Sequence, residues 1–326
     1  MLQETLSANK CSICGTPTHI GCDCAEETKE IKGDFGATVN KGIEQALGLI
    51  KEKYENRPDE KDNLPFHNAE HTKGVVDNVE KILKAIQQAS PDLDLVSDHD
   101  VQIGRLAAAY HDTVQDWKEN KVKEGEFEKV SRKRLAGSNE TKSGEEAAKF
   151  MRDANQNGAV FSEQDIQTVK RAIDTTVPGG WDGKTVIQTN LTKNSSLVER
   201  ALALADLATA GMEGSKRFLE EGPAIFREEN LDILEAIRSG ENISKDKQDY
   251  FKERMIKWLR DQPAFARGRQ ARLAVELEAI PEPARAAVAG LFDKFEDSIQ
   301  KSQEVADEAG KESFEKLIER MGYKRS

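Results

Sequence analysis

Histidine is scarce in this chain, with five in 326 residues. Cysteine is scarcer still, and its four copies all fall between Cys11 and Cys24. A secreted domain spreads cysteines to staple its fold, so this clustering argues against a disulfide framework and for a reducing compartment. No apolar run approaches the ~20 residues that span a bilayer, and the opening MLQETLSANK has no signal-peptide core. Positive charge is in deficit: 48 Lys and Arg stand against 59 Asp and Glu, a formal net charge of −11. That balance argues against nucleic acid or an anionic membrane as the main partner. Internal repeats, low-complexity tracts and a phosphate-cradling glycine loop are also missing. The expected location is the cytoplasm.

The chain is long enough to bury a sizeable core in one large domain or two smaller ones. Its first segment, CSICGTPTHIGCDC, spaces the cysteines C-x2-C, then seven residues, then C-x-C. A glycine follows the first pair and another precedes the second, which helps aim Cys11, Cys14, Cys22 and Cys24 at one point. Four thiolates around a tetrahedral zinc is the natural reading, and His19 could replace one sulfur. Such a site is closed and structural. The bland reading is a loose terminal peptide with incidental thiols.

From about Ile43 the apolar periodicity is helical nearly throughout. Val75, Val76, Val79, Ile82, Leu83 and Ile86 form one stripe. Ile103, Leu106, Ala107, Tyr110, His111 and Val114 form a second, and Leu197, Val198, Ala201, Leu202 and Ala205 a third. Ser143 with Glu146 fits a capping box, and Ser162 with Asp165 a looser one. Pro178 to Asn190 is the one long loop, with room for a short hairpin, and no convincing strand shows elsewhere. The composition shifts near Ser239 to Lys247. Beyond it a helix from about Pro283 carries Val288, Leu291, Phe292, Phe295 and Ile299 on one face, toward the core or a partner. The expectation is all-α: a cysteine cluster over 1–30, a helical domain over 40–240 and a helical extension over 245–326.

Two of the five histidines sit four apart in PFHNAEHTKGVVDNVEKIL. At helical spacing His67 and His71 would share a side with Val75, Val79 and Ile82. A histidine on a buried stripe is a satisfied core residue or a ligand. The second stripe ends in AAAYHDTVQD, where His111 and Asp112 are neighbours. Helix neighbours diverge by about 100°, so both reach one ion only if it lies between their directions. Asp112 could equally just hold His111. The third stripe, ALALADLATAG, buries Asp206 among small apolar residues, where it needs a salt bridge or a metal ion. Two imidazoles and two carboxylates on three apolar faces suit a divalent transition metal.

These residues carry a resemblance. His71, His111-Asp112 and Asp206 resemble the HD-domain superfamily of metal-dependent phosphohydrolases. FHNAEH is similar to the YHNxxH signature of a predicted phosphohydrolase family and of cyclic-nucleotide phosphodiesterases. SNETKSGEEAA is similar to the NExxSA segment of that predicted family, and ADLATAG to its DLxxxG ending. The likeness runs from about Phe66 to Gly211 and leaves out the cysteine cluster and the C-terminal helices. It implies an HD-type helical bundle with His71, His111, Asp112 and Asp206 as ligands of Zn, Mn, Fe, Co or Ni. A second ion such as Mg would rest mainly on Asp112 and water. His67 matches the proton donor of the phosphodiesterases, and Glu140 the NE glutamate beside a ligand or water.

Departures are visible too. Phe66 replaces the usual tyrosine, and no histidine lies between Asp112 and Asp206, where HD-type oxygenases need further ligands. His99-Asp100 is a decoy pair, read as a cap or surface feature. The implied activity is hydrolysis of a phosphomonoester or phosphodiester of a small, nucleotide-like molecule. Lys73, Lys118, Arg132 and Arg134 are unranked candidates to meet its phosphate. The competing reading is a metal-bound module without catalysis, in which the zinc knob and the C-terminal helices dock a ligand, a partner protein or a second copy.

Overall fold

The computed structural model describes residues 34–156, 158, 161–181, 185–240 and 242–324. Cys11, Cys14, Cys22 and Cys24, expected to hold zinc, lie outside the described residues, as does His19. The order of elements is α1 (Phe35–Tyr54), α2 (Ala69–Ala89), α3 (Asp98–Tyr110), β1 (Trp117–Glu124), β2 (Phe127–Arg134), α4 (Ser138–Gln156) and α5 (Glu163–Asp174). There follow β3 (Pro178–Trp181), β4 (Val186–Gln188), α6 (Leu197–Asp206), a π turn (Thr209–Glu213), α7 (Ser215–Glu229) and α8 (Leu231–Arg238). The chain closes with α9 (Lys245–Leu277), α10 (Ala284–Gly290), α11 (Phe295–Ala309) and α12 (Phe314–Arg320). The described chain is mostly helical, and none of its helices is long and apolar enough to cross a membrane.

Helices α2, α3, α5 and α6 start on polar caps and bury the stripes their sequences present. Asn68 caps α2 by accepting from the His71 amide, while Val75, Val79, Ile82, Leu83 and Ile86 are buried. Capping boxes open α3 (Ser97 with Asp100), α5 (Ser162 with Asp165) and α6 (Ser196 with Glu199). Asp100 is thus a cap, and His99 is a surface residue that pairs with Asp165 and stacks on Phe35. Ser143 is not a cap, since α4 begins five residues earlier at Ser138. It is fully buried, and its hydroxyl accepts from the Val114 amide in the turn after α3.

Small residues let α2, α3 and α6 approach closely. Ala107, Ala108 and Ala109 of α3 are wholly buried, and Gly104 packs so tightly that a Cβ there would stand 2.6 Å from Leu83 Cδ1.

The all-α expectation misses β1 and β2, which pair antiparallel from Trp117↔Arg134 to Glu124↔Phe127. Gly125, at φ +65, makes the two-residue turn. Almost every side chain of β1 is exposed, so WKENKVKE carries no apolar alternation from which a strand could be read. The loop after Pro178 does hold a short hairpin, β3 with β4.

The helix expected from Pro283 is two helices, α10 and α11, with a break between Gly290 and Phe295. Val288, Phe292, Phe295 and Ile299 join the same core as α2 and α3, so this face packs inward. A second cluster joins Phe226, Ile233 and Ile237 to Phe251, Met255 and Leu259 of α9 and Leu317 of α12.

Two glycines give opposite expectations. Gly104→Ala forces α2 and α3 apart and lowers stability by about 1–3 kcal/mol. Gly48→Ala, on the exposed side of α1 with nothing within 4 Å of the added methyl, raises it by about 0.5–1 kcal/mol. Urea denaturation midpoints of the two variants check both signs.

Candidate metal centre

His71, His111, Asp112 and Asp206 meet at one point because three helices end or begin there. His71 is the third residue of α2, next to its capped N-terminus. Helix α3 stops at Tyr110, with His111 as its C-terminal cap residue and Asp112 in the turn beyond. His111 keeps helical backbone angles, so the two side chains diverge as helix neighbours do and both face a point between them. Asp206 is the last residue of α6.

His71 Nε2 lies 3.8 Å from Asp206 Oδ1 and 4.0 Å from Asp112 Oδ2. His111 Nε2 lies 3.1 Å from Asp112 Oδ2 and 3.4 Å from Asp206 Oδ1. One ligand atom each from His71, His111 and Asp206 can be chosen with all three within 4.8 Å of one another. Donors each about 2.0–2.2 Å from a shared ion lie roughly 3–4 Å apart, so this spacing suits a divalent transition metal. Both Nε2 atoms are fully buried and make no hydrogen bond, despite the carboxylates beside them. A buried ring nitrogen without a partner is costly whether it carries a proton or a lone pair, and an ion would satisfy both.

The outer nitrogens of the two rings are already committed. His111 Nδ1 donates to the Ala108 carbonyl at 2.7 Å, which leaves Nε2 as the atom that could hold an ion. His71 Nδ1 stands 3.5 Å from Glu221 Oε1 on α7, and Glu221 is held by Thr209 Oγ1 and by Arg217 Nε. Asp112 Oδ1 accepts from Gln115 Nε2 at 2.6 Å, and Asp206 Oδ2 from Gln188 Nε2 of β4 at 3.3 Å.

Charge follows from burial and proximity. Burial opposes a charge on His71, yet the carboxylates of Asp206 and Glu221 override it and push the ring up to about 9. His111 is likewise raised well above its ordinary value: burial opposes, and Asp112 and Asp206 prevail. Burial would lift Asp112 and Asp206, but the facing imidazoles hold both below the usual carboxylate range. The carboxylates demand positive charge between them, whether from protons on the rings or from an ion.

His67 is placed differently from the sequence reading. Helix α2 begins at Ala69, so His67 precedes even the cap and shares no helical turn with His71. Its ring is 6.3 Å from that of His71, with Phe66 packed against both. It is fixed by Glu228 of α7, which accepts from His67 Nδ1 and from the amides of Phe66 and His67. On the other side, Arg134 Nη1 of β2 donates to His67 Nε2 at 2.6 Å.

Glu140 is buried, but its Oε2 accepts from the Gly137 amide at the start of its own helix. Asn139 beside it clamps both the amide and the carbonyl of Asp116, bracing the turn that carries His111 and Asp112.

The four basic candidates also separate. Lys73 is exposed and pairs with Asp77; Lys118 is exposed. Arg132 is buried over Trp117 and donates to the Lys61 carbonyl. Only Arg134 of the four reaches His67 and Asp112. Glu221 and Glu228 were not singled out by the sequence, because nothing distinguishes them among 59 acidic residues. No protein-family model, curated protein or solved structure matches the chain.

Two outcomes follow from this geometry. Glu221→Gln loosens the orientation of His71, and divalent metal affinity falls about 10- to 100-fold in a competition titration. In chelator-treated protein, a ring raised from ~6.5 to about 9 lends stability fully present below pH ~6.5 and lost as pH rises through 9. Unfolding free energy should therefore drop between pH 7 and 9.5, by at most about 3 kcal/mol, and His71→Gln should flatten that slope. Metal affinity moves the opposite way over the same interval, because ligation needs the neutral ring.

Proposed function

We propose that this chain hydrolyses a phosphate ester of a small molecule with a divalent transition metal held by His71, His111, Asp112 and Asp206. The observation that carries the reading is the pair of buried, unpartnered Nε2 atoms facing two ionised carboxylates. When bound, the ion would supply Lewis-acid chemistry, polarising the phosphoryl group and acidifying a water near neutral pH.

The residues of the chain do the rest. Gln115 and Gln188 hold the two aspartates in one orientation, and Glu221 and the Ala108 carbonyl hold the two imidazoles. His67 is the proton donor to the leaving oxygen, with the proton carried at Nε2. Glu228 at Nδ1 stabilises the imidazolium, as an orienting carboxylate does for a general acid. That role requires Arg134 to leave and Nε2 then to take up a proton from solvent, since a nitrogen accepting from a guanidinium has no proton to give.

The same contact favours the second reading, a metal-bound module that binds a phosphorylated ligand without turning it over. Substrate screening with Zn, Mn, Co and Ni separates the two, and His67 sharpens the answer. His67→Ala should keep near-wild-type metal content and lose about 10²- to 10⁴-fold in rate on esters with poor leaving groups. On a nitrophenyl ester, whose leaving group departs without a proton, the loss should shrink. His71→Ala should lose metal and activity together. Equal losses of His67→Ala on both ester types would remove the proton-donor role.

A further inference from the structure

We infer that Arg134 is a substrate-binding residue that grips a terminal phosphoryl group, and that it directs the site toward phosphomonoesters rather than diesters. Its action on a substrate rests on the proposed hydrolysis; its binding of an anion stands apart from it.

Arg134 is the last residue of β2, and the hairpin brings it to the edge of the metal centre. Its side chain is 28% exposed, so it forms part of the boundary between the buried ligands and solvent. Two arms face inward. Nη1 donates to His67 Nε2 at 2.6 Å, and Nη2 stands 3.7 Å from Asp112 Oδ1, too far for a hydrogen bond. Its Nε is buried without a partner. The guanidinium thus makes one described hydrogen bond, to a neutral ring.

The charges around the centre leave this arginine without a described carboxylate hydrogen bond of its own. A divalent ion would offset Asp112 and Asp206. Arg217 offsets Glu221 at 2.8 Å, and His67 offsets Glu228 first, with Arg134 and Arg132 behind it. Arg134 stands at the opening with its Nε unpartnered. A phosphate oxygen is a far better acceptor for a guanidinium than a neutral imidazole, because charge-assisted hydrogen bonds are about twice as strong. An incoming phosphate therefore draws Arg134 off His67 and exposes Nε2.

The shape of the guanidinium sets the selectivity. Its planar fork takes two oxygens at once. A phosphomonoester offers three non-bridging oxygens, so one can go to the ion and two to the fork. A diester has only two, and giving one to the ion leaves a single oxygen for Arg134. The monoester is also the dianion at neutral pH.

The test uses full-length protein loaded with Mn(II) and calorimetric titration of inorganic phosphate and dimethyl phosphate. Wild type should bind phosphate at least about tenfold more tightly than dimethyl phosphate. Arg134→Gln should cut phosphate affinity about 10- to 100-fold, the worth of hydrogen bonds to a charged group, and narrow the preference. Its metal content should match wild type. Arg134→Lys keeps the charge without the fork and should bind phosphate nearer to Arg134→Gln than to wild type. Equal binding of the two anions by wild type, no phosphate binding at all, or wild-type affinity in either variant overturns the inference. Phosphate binding without turnover of any ester would instead overturn the proposed hydrolysis and leave the anion site standing.

Discussion

Two ionised carboxylates facing two buried imidazole nitrogens form the constraint that the surrounding structure serves. Asp206 ends α6 and Asp112 follows the end of α3, so both sit at the negative pole of a helix as well as inside a core. Burial, the helix ends and their mutual repulsion all penalise their charge, and only a cation between them compensates. The alanine-rich face of α3 and the tight approach at Gly104 are what allow α2, α3 and α6 to come close enough for that point to exist. Replacing either aspartate by an apolar residue would relieve one cost and leave the partner nitrogens without a ligand.

Around this centre, parts distant in sequence fix each of its side chains from behind. Helix α7 supplies Glu221 to one histidine and Glu228 to another, two turns apart on a single rod. The exposed hairpin supplies Arg134, and the hairpin is itself braced from the C-terminal side. Phe127 stacks on Tyr250 of α9, while Asn230 bridges to Ser131 and is held with Asp232 by Arg254. The C-terminal helices carry no ligand of the centre among the described residues. They act on it through the position of β2, and through the burial of Phe292 and Phe295 against Gly211 just beyond Asp206.

The amino-acid sequence alone determined the helical stripes and singled out the four residues that meet at the candidate centre, because both leave local signatures. A 3.6-residue apolar period marks a buried helix face, and a histidine or aspartate interrupting that period stands out in a chain with five histidines. Fold class was legible except where no face is buried: β1 is solvated on both sides, so its strand has no pattern to read. The tertiary structure decided what each ligand leans on and how His67 is held. His67 was grouped with His71 by spacing, yet it lies before the helix starts, and a glutamate 161 residues away sets its ring. Glu140 looked like part of the site by motif and is tied to its own helix start instead. Glu221, Glu228 and the choice of Arg134 over three other basic residues could not be read in advance. Each depends on which surfaces of remote helices and strands meet, and a single charged residue on an exposed or half-buried element carries no local sign of its eventual partner.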